Sequence, residues 1–142
     1  MGLNRFVEAQ DAGGTYAAAL RELRRGRKTS HWMSFVFPQV AGLGRSATAQ
    51  RYAVSGLDEA RAYLADPVLG QRLRECCALL LELPGADAEA VFGGIDAVKL
   101  RSSMTLFARA AEVDLDRRLF VDVLAKFFDG AEDPATLALL ED

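Results

Sequence analysis

A chain of 142 residues, 51% apolar and 26% charged, is one globular domain by length, and no long span is both poor in apolar residues and rich in one sign of charge, which excludes extended disorder. A fold of this size buries roughly two-thirds of the surface its unfolded chain exposes, so it needs no disulfide or metal staple. The net charge of −3 speaks against a general nucleic-acid binder, which carries a basic face.

Leu3, Phe6, Val7 and Gln10 recur at i, i+3, i+4 and i+7, which predicts a short amphipathic helix ended by Gly13-Gly14. Gln10 falls on its apolar side, where an amide either satisfies a neighbouring backbone group or points into a pocket. A second helix is expected from Thr15 to Arg25, with Tyr16, Leu20 and Leu23 on one face. Arg21, Arg24, Arg25, Arg27 and Lys28 surround its end, where they complement the helix dipole or form a phosphate-facing patch. Ser30 is placed to cap a third helix, His31 to Phe37, which Pro38 stops; Trp32, Phe35 and Val36 form its buried side. The loop Gln39 to Arg45 follows, and Ser46 caps a fourth helix through Tyr52 and Val54.

Ser55-Gly56 breaks the chain, and Asp58 and Glu59 open a helix striped by Leu57, Ala60, Tyr63 and Leu64. Pro67 sits at the first position of a long helix to about Leu83, which Pro84-Gly85 stops. Asp87 caps a short turn through Phe92, ended by Gly93-Gly94. From Asp96 to about Ala111 the pattern predicts a helix with two unlike faces: Leu100, Met104, Phe107 and Ala111 inward, and Asp96, Lys99, Ser102, Ser103 and Leu106 on another side. Leu119, Phe120, Val123, Leu124 and Phe127 make a broad apolar helix ended at Gly130, and Pro134 starts a last one. Sustained period-two alternation is absent. The expected fold is all-α, a single compact domain over residues 1–142 with about seven to ten helices in irregular orthogonal packing, not a simple bundle.

The adjacent cysteines, Cys76 and Cys77, point about 100° apart on a helix, poor geometry for a bridge. Cys76 continues a stripe with Leu69, Leu73 and Leu80, so burial is expected over reactivity. Arg5, Glu8 and Asp11 interrupt any secretory leader, Phe6 stands where a myristoylation signal wants Ser or Thr, and no apolar run nears the ~20 residues of a membrane span; a cytoplasmic protein is expected. Residues 1–51 hold eight Arg/Lys against three Asp/Glu, a net of +5, and residues 112–142 hold three against nine, a net of −6. These are solvated faces, or they attract one another within the fold or across a homodimer.

Three features bear on chemistry. In G-L-G-R-S, Gly42, Gly44 and Ser46 with Arg45 are placed either to cradle a phosphate with backbone N–H groups or simply to turn the chain; no strand precedes them, and neither a third glycine nor a G-K-[ST] follows. His31, the only histidine, is the natural general acid or base, or else a packed core residue. Asp96, Lys99, Ser102 and Ser103 form either a solvated stripe or, if they face the His31 segment, a site where Lys99 holds an anion and Asp96 serves a sugar hydroxyl or acts as base. One histidine and no ligand-spaced cysteine pair leave too few ligands for a metal, and no cofactor is expected.

The run S-H-W-M-S-F-V-F-P-Q-V-A-G-L-G-R-S at 30 to 46 resembles the signature of an uncharacterised, mainly bacterial family, domain-of-unknown-function family eighteen-ten. R-F-V-E-A-Q at 5 to 10, A-Y-L-A-D-P-V-L-G-Q-R-L at 62 to 73 and F-G-G-I-D-A-V-K-L-R-S-S-M-T-L-F at 92 to 107 extend the resemblance over nearly the whole chain. Ser34 departs from the pattern, which carries a second tryptophan there, and so removes an aromatic wall from any pocket. The resemblance implies a mainly helical fold and no established activity. Members are sometimes labelled calpastatin, which does not fit, because calpastatin inhibitors are disordered and this composition is globular. It also implies that Gln10, Lys28, His31, Trp32, Gln39, Ser46, Asp96, Lys99 and Ser103 matter, more polar positions than a structural signature needs.

The functional expectation is a site between the His31–Ser46 segment and the Asp96–Ser103 helix that binds, and in its fuller form hydrolyses, a small phosphate-bearing ligand such as a nucleotide or ADP-ribose derivative. The ligand class leans on analogy with the helical NAD/ADP-ribose-associated domain. Trp32 would stack on the ligand, Lys99 and the glycine loop would hold phosphate, Gln10, Lys28, Gln39 and Ser103 would complete the site, and His31 and Asp96 are the catalytic candidates. The alternative is a non-catalytic protein-interaction or homodimerisation module. Neither nucleic acid nor a membrane is expected as a partner.

Overall fold

Ser46 accepts a hydrogen bond from the Ala49 N–H, Asp87 from those of Glu89 and Ala90, and Asp133 from that of Thr136; each opens a helix this way. The computed structural model, which describes residues 2–141, holds ten α-helices, three of them opened by such caps. They are α1 (Asn4–Asp11), α2 (Thr15–Arg25), α3 (Met33–Val36), α4 (Ala47–Arg51), α5 (Leu57–Ala65), α6 (Leu69–Glu82), α7 (Ala88–Phe92), α8 (Gly94–Ala110), α9 (Asp114–Phe128) and α10 (Pro134–Leu140). A 3-10 turn at Ala12–Gly14 joins α1 to α2, with Gly13 and Gly14 both at positive φ, a conformation other residues rarely hold. Among the described residues no strand forms. One parallel bridge pairs Val40 with Val54: the Ala41 N–H donates to the Val54 carbonyl at 2.7 Å and the Val54 N–H to the Gln39 carbonyl at 2.8 Å. The fold is all-α with one contiguous apolar core.

The core is built around α8. Leu100, Met104, Leu106 and Phe107 are buried on different sides of it, because α5, α7, α9 and α10 all pack against it. Tilted and edge-on aromatic pairs run outward from there: Phe107 lies 5.9 Å from Phe120 and 5.2 Å from Tyr63, and Tyr63 lies 5.2 Å from Phe6 of α1. A second cluster, Trp32, Phe37 and Phe92, joins the residues flanking α3 to α7. Cys76 and Cys77 are free and buried, and burial pushes the Cys76 thiol up to about 12 and Cys77 well above its ordinary value, so both are inert. No helix among the described residues is long and apolar enough to cross a membrane.

Four local expectations are corrected. The third helix keeps only Met33–Val36, because the Ser30 hydroxyl donates to Glu22 instead of capping it. The fourth stops at Arg51, since Val54 is taken by the bridge. The long helix starts at Leu69, after Asp66 Oδ1 accepts from the N–H groups of Val68 and Leu69. Ser102, Ser103 and Leu106 are buried and form no solvated stripe, because α8 is packed on that side too.

Gly70 shows how closely α5 and α6 meet: a Cβ there would lie 2.2 Å from the Leu64 carbonyl oxygen. Replacing a helical glycine by alanine ordinarily stabilises by roughly 0.5–1 kcal/mol. Here the sign reverses, and Gly70→Ala should lower the unfolding free energy by about 1–3 kcal/mol in urea denaturation.

Candidate functional site

The buried side of α2 is Ala19, Glu22 and Leu23, so a carboxylate enters the interior. Glu22 is 4% exposed. Its oxygens accept four hydrogen bonds: from the N–H of Thr29 at 2.7 Å and of Ser30 at 2.9 Å, from the Ser30 hydroxyl at 2.5 Å and from the Trp32 indole at 2.9 Å. Burial works to raise its pKa, but the donors outweigh burial and hold it down at about 2. Glu22 therefore stays charged and fixes the turn that follows α2.

That turn aims Lys28. Its N–H donates to the Val91 carbonyl at 2.7 Å, and its ammonium donates to the Ser30 carbonyl at 2.6 Å and pairs with Asp96 Oδ2 at 2.8 Å. The Lys28 side chain is 7% exposed and its ammonium lies 5.1 Å from the Trp32 ring centre. Asp96 Oδ1 faces Lys99 at 3.8 Å, too long for a hydrogen bond. One carboxylate thus stands between two ammonium groups, and one positive charge is left over. Lys99 makes no hydrogen bond among the described residues, so its three donors are available.

Two clefts open beside this triad. The first, about 450 Å³, is lined by Lys28, His31, Trp32, Ser46, Asp96 and Lys99, with Ser34 and Thr48 in its wall. The second, about 380 Å³, is lined by Gln39, Leu43, Gly44, Ile95, Val98, Lys99, Ser102, Asp133 and Ala135. Lys99 belongs to both. The two segments some sixty residues apart in the chain do meet.

The sequence-predicted residues divide accordingly. His31 is exposed in the first cleft, and Ser46 lines it while its hydroxyl caps α4. Both oxygens of Asp96 face lysines, an arrangement that positions the two ammonium groups. Trp32 is 0% exposed, and a ring without an accessible face offers no stacking surface. Gln10 lies outside both clefts: its amide donates to the Phe35 carbonyl at 2.7 Å and the Tyr63 hydroxyl at 3.3 Å and accepts from Arg72 at 3.1 Å, clamping four helices or their flanks. Gly42 is also outside; it sits at φ 105°, and a Cβ there would press on Leu139 of α10 at 3.2 Å. Gly44 borders the second cleft, yet its missing side chain serves α4, since a Cβ would meet that of Ala49 at 2.4 Å. Ser103 is sealed in the core, and its hydroxyl has no hydrogen-bond partner among the described residues.

Sequence reasoning missed Glu22, although the spacing Ala19, Glu22, Leu23 carried a signal for it. It also passed over Ile95, Val98 and Asp133 in the second cleft. The basic end of α2 does not meet the acidic C-terminal third: Arg21, Arg24, Arg25 and Arg27 are exposed and form no ion pair among the described residues, while Asp114, Asp116 and Glu132 pair with Arg117, Arg74 and Arg109.

Comparison with known proteins agrees with this architecture. The profile of a family described as "Protein of unknown function (DUF1810)" matches residues 1–140. The chain is similar to the crystal structure of the conserved hypothetical protein Rv1873 from Mycobacterium tuberculosis, with 51% identity, a TM-score of 0.91, and 99% of this chain and 96% of that one covered. No curated protein matches.

Because the pKa of Glu22 is depressed in the fold, its contribution is whole above its ordinary value of 4.5 and is lost as pH falls toward about 2. At roughly 1.4 kcal/mol per pH unit, that window is worth about 3 kcal/mol. Glu22→Gln should destabilise by a similar amount at pH 7, and its urea midpoint should fall less than that of the parent between pH 5 and about pH 2.

Proposed function

The chain belongs to the DUF1810 family, whose description assigns no activity, and from the geometry we propose that the first cleft binds a small phosphate-bearing ligand such as a nucleotide or an ADP-ribose derivative. The observation that supports this most is the surplus ammonium: Lys28 is already satisfied by Asp96 and Ser30, whereas Lys99 reaches the cleft with free donors. Charge-assisted hydrogen bonds to a phosphate are shorter and stronger than neutral ones. Ser46 and Thr48 line the same space. His31 is the imidazole of the cleft, and should the ligand be hydrolysed it is the group suited to carry the proton. Asp96 serves by holding the two lysines in register. The reading requires no metal or cofactor, and the proposed setting is the cytoplasm, with which two free thiols are compatible.

A specific observation favours a second reading, a non-catalytic interaction or homodimerisation module. The four exposed arginines at the end of α2 form no ion pair among the described residues, and an acidic partner, including the C-terminal third of a second copy, would supply a counter-charge.

In a thermal-shift panel of NAD, ADP-ribose and nucleoside phosphates, at least one member should raise the melting temperature. Lys99→Ala should abolish that rise while changing the stability of the unliganded protein by no more than about 0.5 kcal/mol. No shift with any member argues strongly against the phosphate reading. For the second reading, light scattering should show a dimer at low salt that dissociates as ionic strength rises; a monomer throughout leaves self-association without support.

A further inference from the structure

Resting on the phosphate reading above, we infer that the second cleft is the subsite for the nucleoside half of the ligand, with the phosphate turned toward Lys99. Lys99 is the shared wall of the two clefts, so a molecule anchored there by its phosphate extends into one or the other. The clefts differ in chemistry. Both touch the surplus ammonium of Lys99, but only the first adds Lys28 and His31 to it. The second is walled by Leu43 from the loop and by Ile95 and Val98 from one face of α8, which stand 77% and 61% exposed. Branched aliphatic side chains this open, side by side on one face of a helix with Leu43 lining the same cleft, form a surface on which a flat heterocycle loses water.

Two polar groups select what lies between those walls. The Gln39 backbone is held by the bond from Val54 at 2.8 Å, while its side-chain amide makes no hydrogen bond among the described residues. A primary amide presents a donor beside an acceptor and matches a base edge with the same pair. Asp133 is locked through Oδ2, which accepts from the Ser102 hydroxyl at 3.0 Å, the Thr136 N–H at 3.0 Å and the Thr136 hydroxyl at 2.6 Å. Its Oδ1 accepts from no group among the described residues. That oxygen repels a phosphate and attracts a sugar hydroxyl or exocyclic amine, which sets the direction of the ligand. An alkyl phosphate would fill the walls but leave both polar groups unmet.

Isothermal titration of the full chain with adenosine 5′-monophosphate, ribose 5-phosphate and adenosine tests the inference. The nucleotide should bind at least about tenfold more tightly than ribose 5-phosphate, and more tightly than adenosine. Val98→Asp, at an exposed position, should bring the ratio of the two phosphate affinities close to one, and Gln39→Ala, which keeps the backbone bond to Val54, should lower the same ratio. Equal affinities in the parent protein, or a preference that survives both substitutions, overturns the subsite and leaves the phosphate reading standing. Failure of both phosphates to bind, or equal binding of adenosine and its monophosphate, overturns the phosphate reading and this inference with it.

Discussion

The Glu22 carboxylate carries its charge inside the protein, and no cation touches it among the described residues; it is held entirely by neutral donors from Thr29, Ser30 and Trp32. A buried charge is tolerable only when its hydrogen-bonding capacity is filled. The dependence is mutual. Without the carboxylate, a buried indole N–H and two backbone N–H groups lose their acceptor, and without that turn the carboxylate has no shell. Hydrogen bonding of this kind fixes one conformation of the chain after α2, and every group of the first cleft that comes from residues 28–35 inherits its position from it.

From Glu22 the order passes outward by contact. The turn places Lys28, Lys28 fixes Asp96 at the start of α8, and Asp96 faces Lys99 one turn further on. Buried ion pairs contribute little net stability, because desolvation offsets the attraction. The Lys28–Asp96 pair is better understood as a spacer. It consumes one ammonium and presents the other at the junction of two clefts of unlike polarity.

Much of the fold was readable from punctuation. Pro84-Gly85, Asp87, Gly93-Gly94 and Pro134 delimit helices as their local chemistry requires, and Leu100, Met104 and Phe107 declared the inward face of α8. What could not be read were positions where a side chain answers to a distant partner. Glu22 sits in a run of arginines and reads as solvent-facing until the packing of α2 turns it inward. Ser30 looks like a cap because local rules cannot see that a carboxylate eight residues away competes for it. Ser102 and Ser103 look exposed because hydroxyls usually are, yet α8 is enclosed on nearly every side. The meeting of the His31 segment with Asp96 and Lys99 was anticipated from the clustering of polar residues; the second cleft was not, because Ile95 and Val98 resemble ordinary core residues in a sequence.

The bridge between Val40 and Val54 has one more consequence. By tying Gln39–Ala41 to Val54, it staples both ends of the segment that carries the glycine loop, Ser46 and α4. The conformational entropy of that segment is surrendered when the chain folds, not when a guest arrives. A molecule entering either cleft meets a wall that is already set, and preorganisation of this sort lets a small number of polar contacts produce useful affinity without an induced-fit penalty.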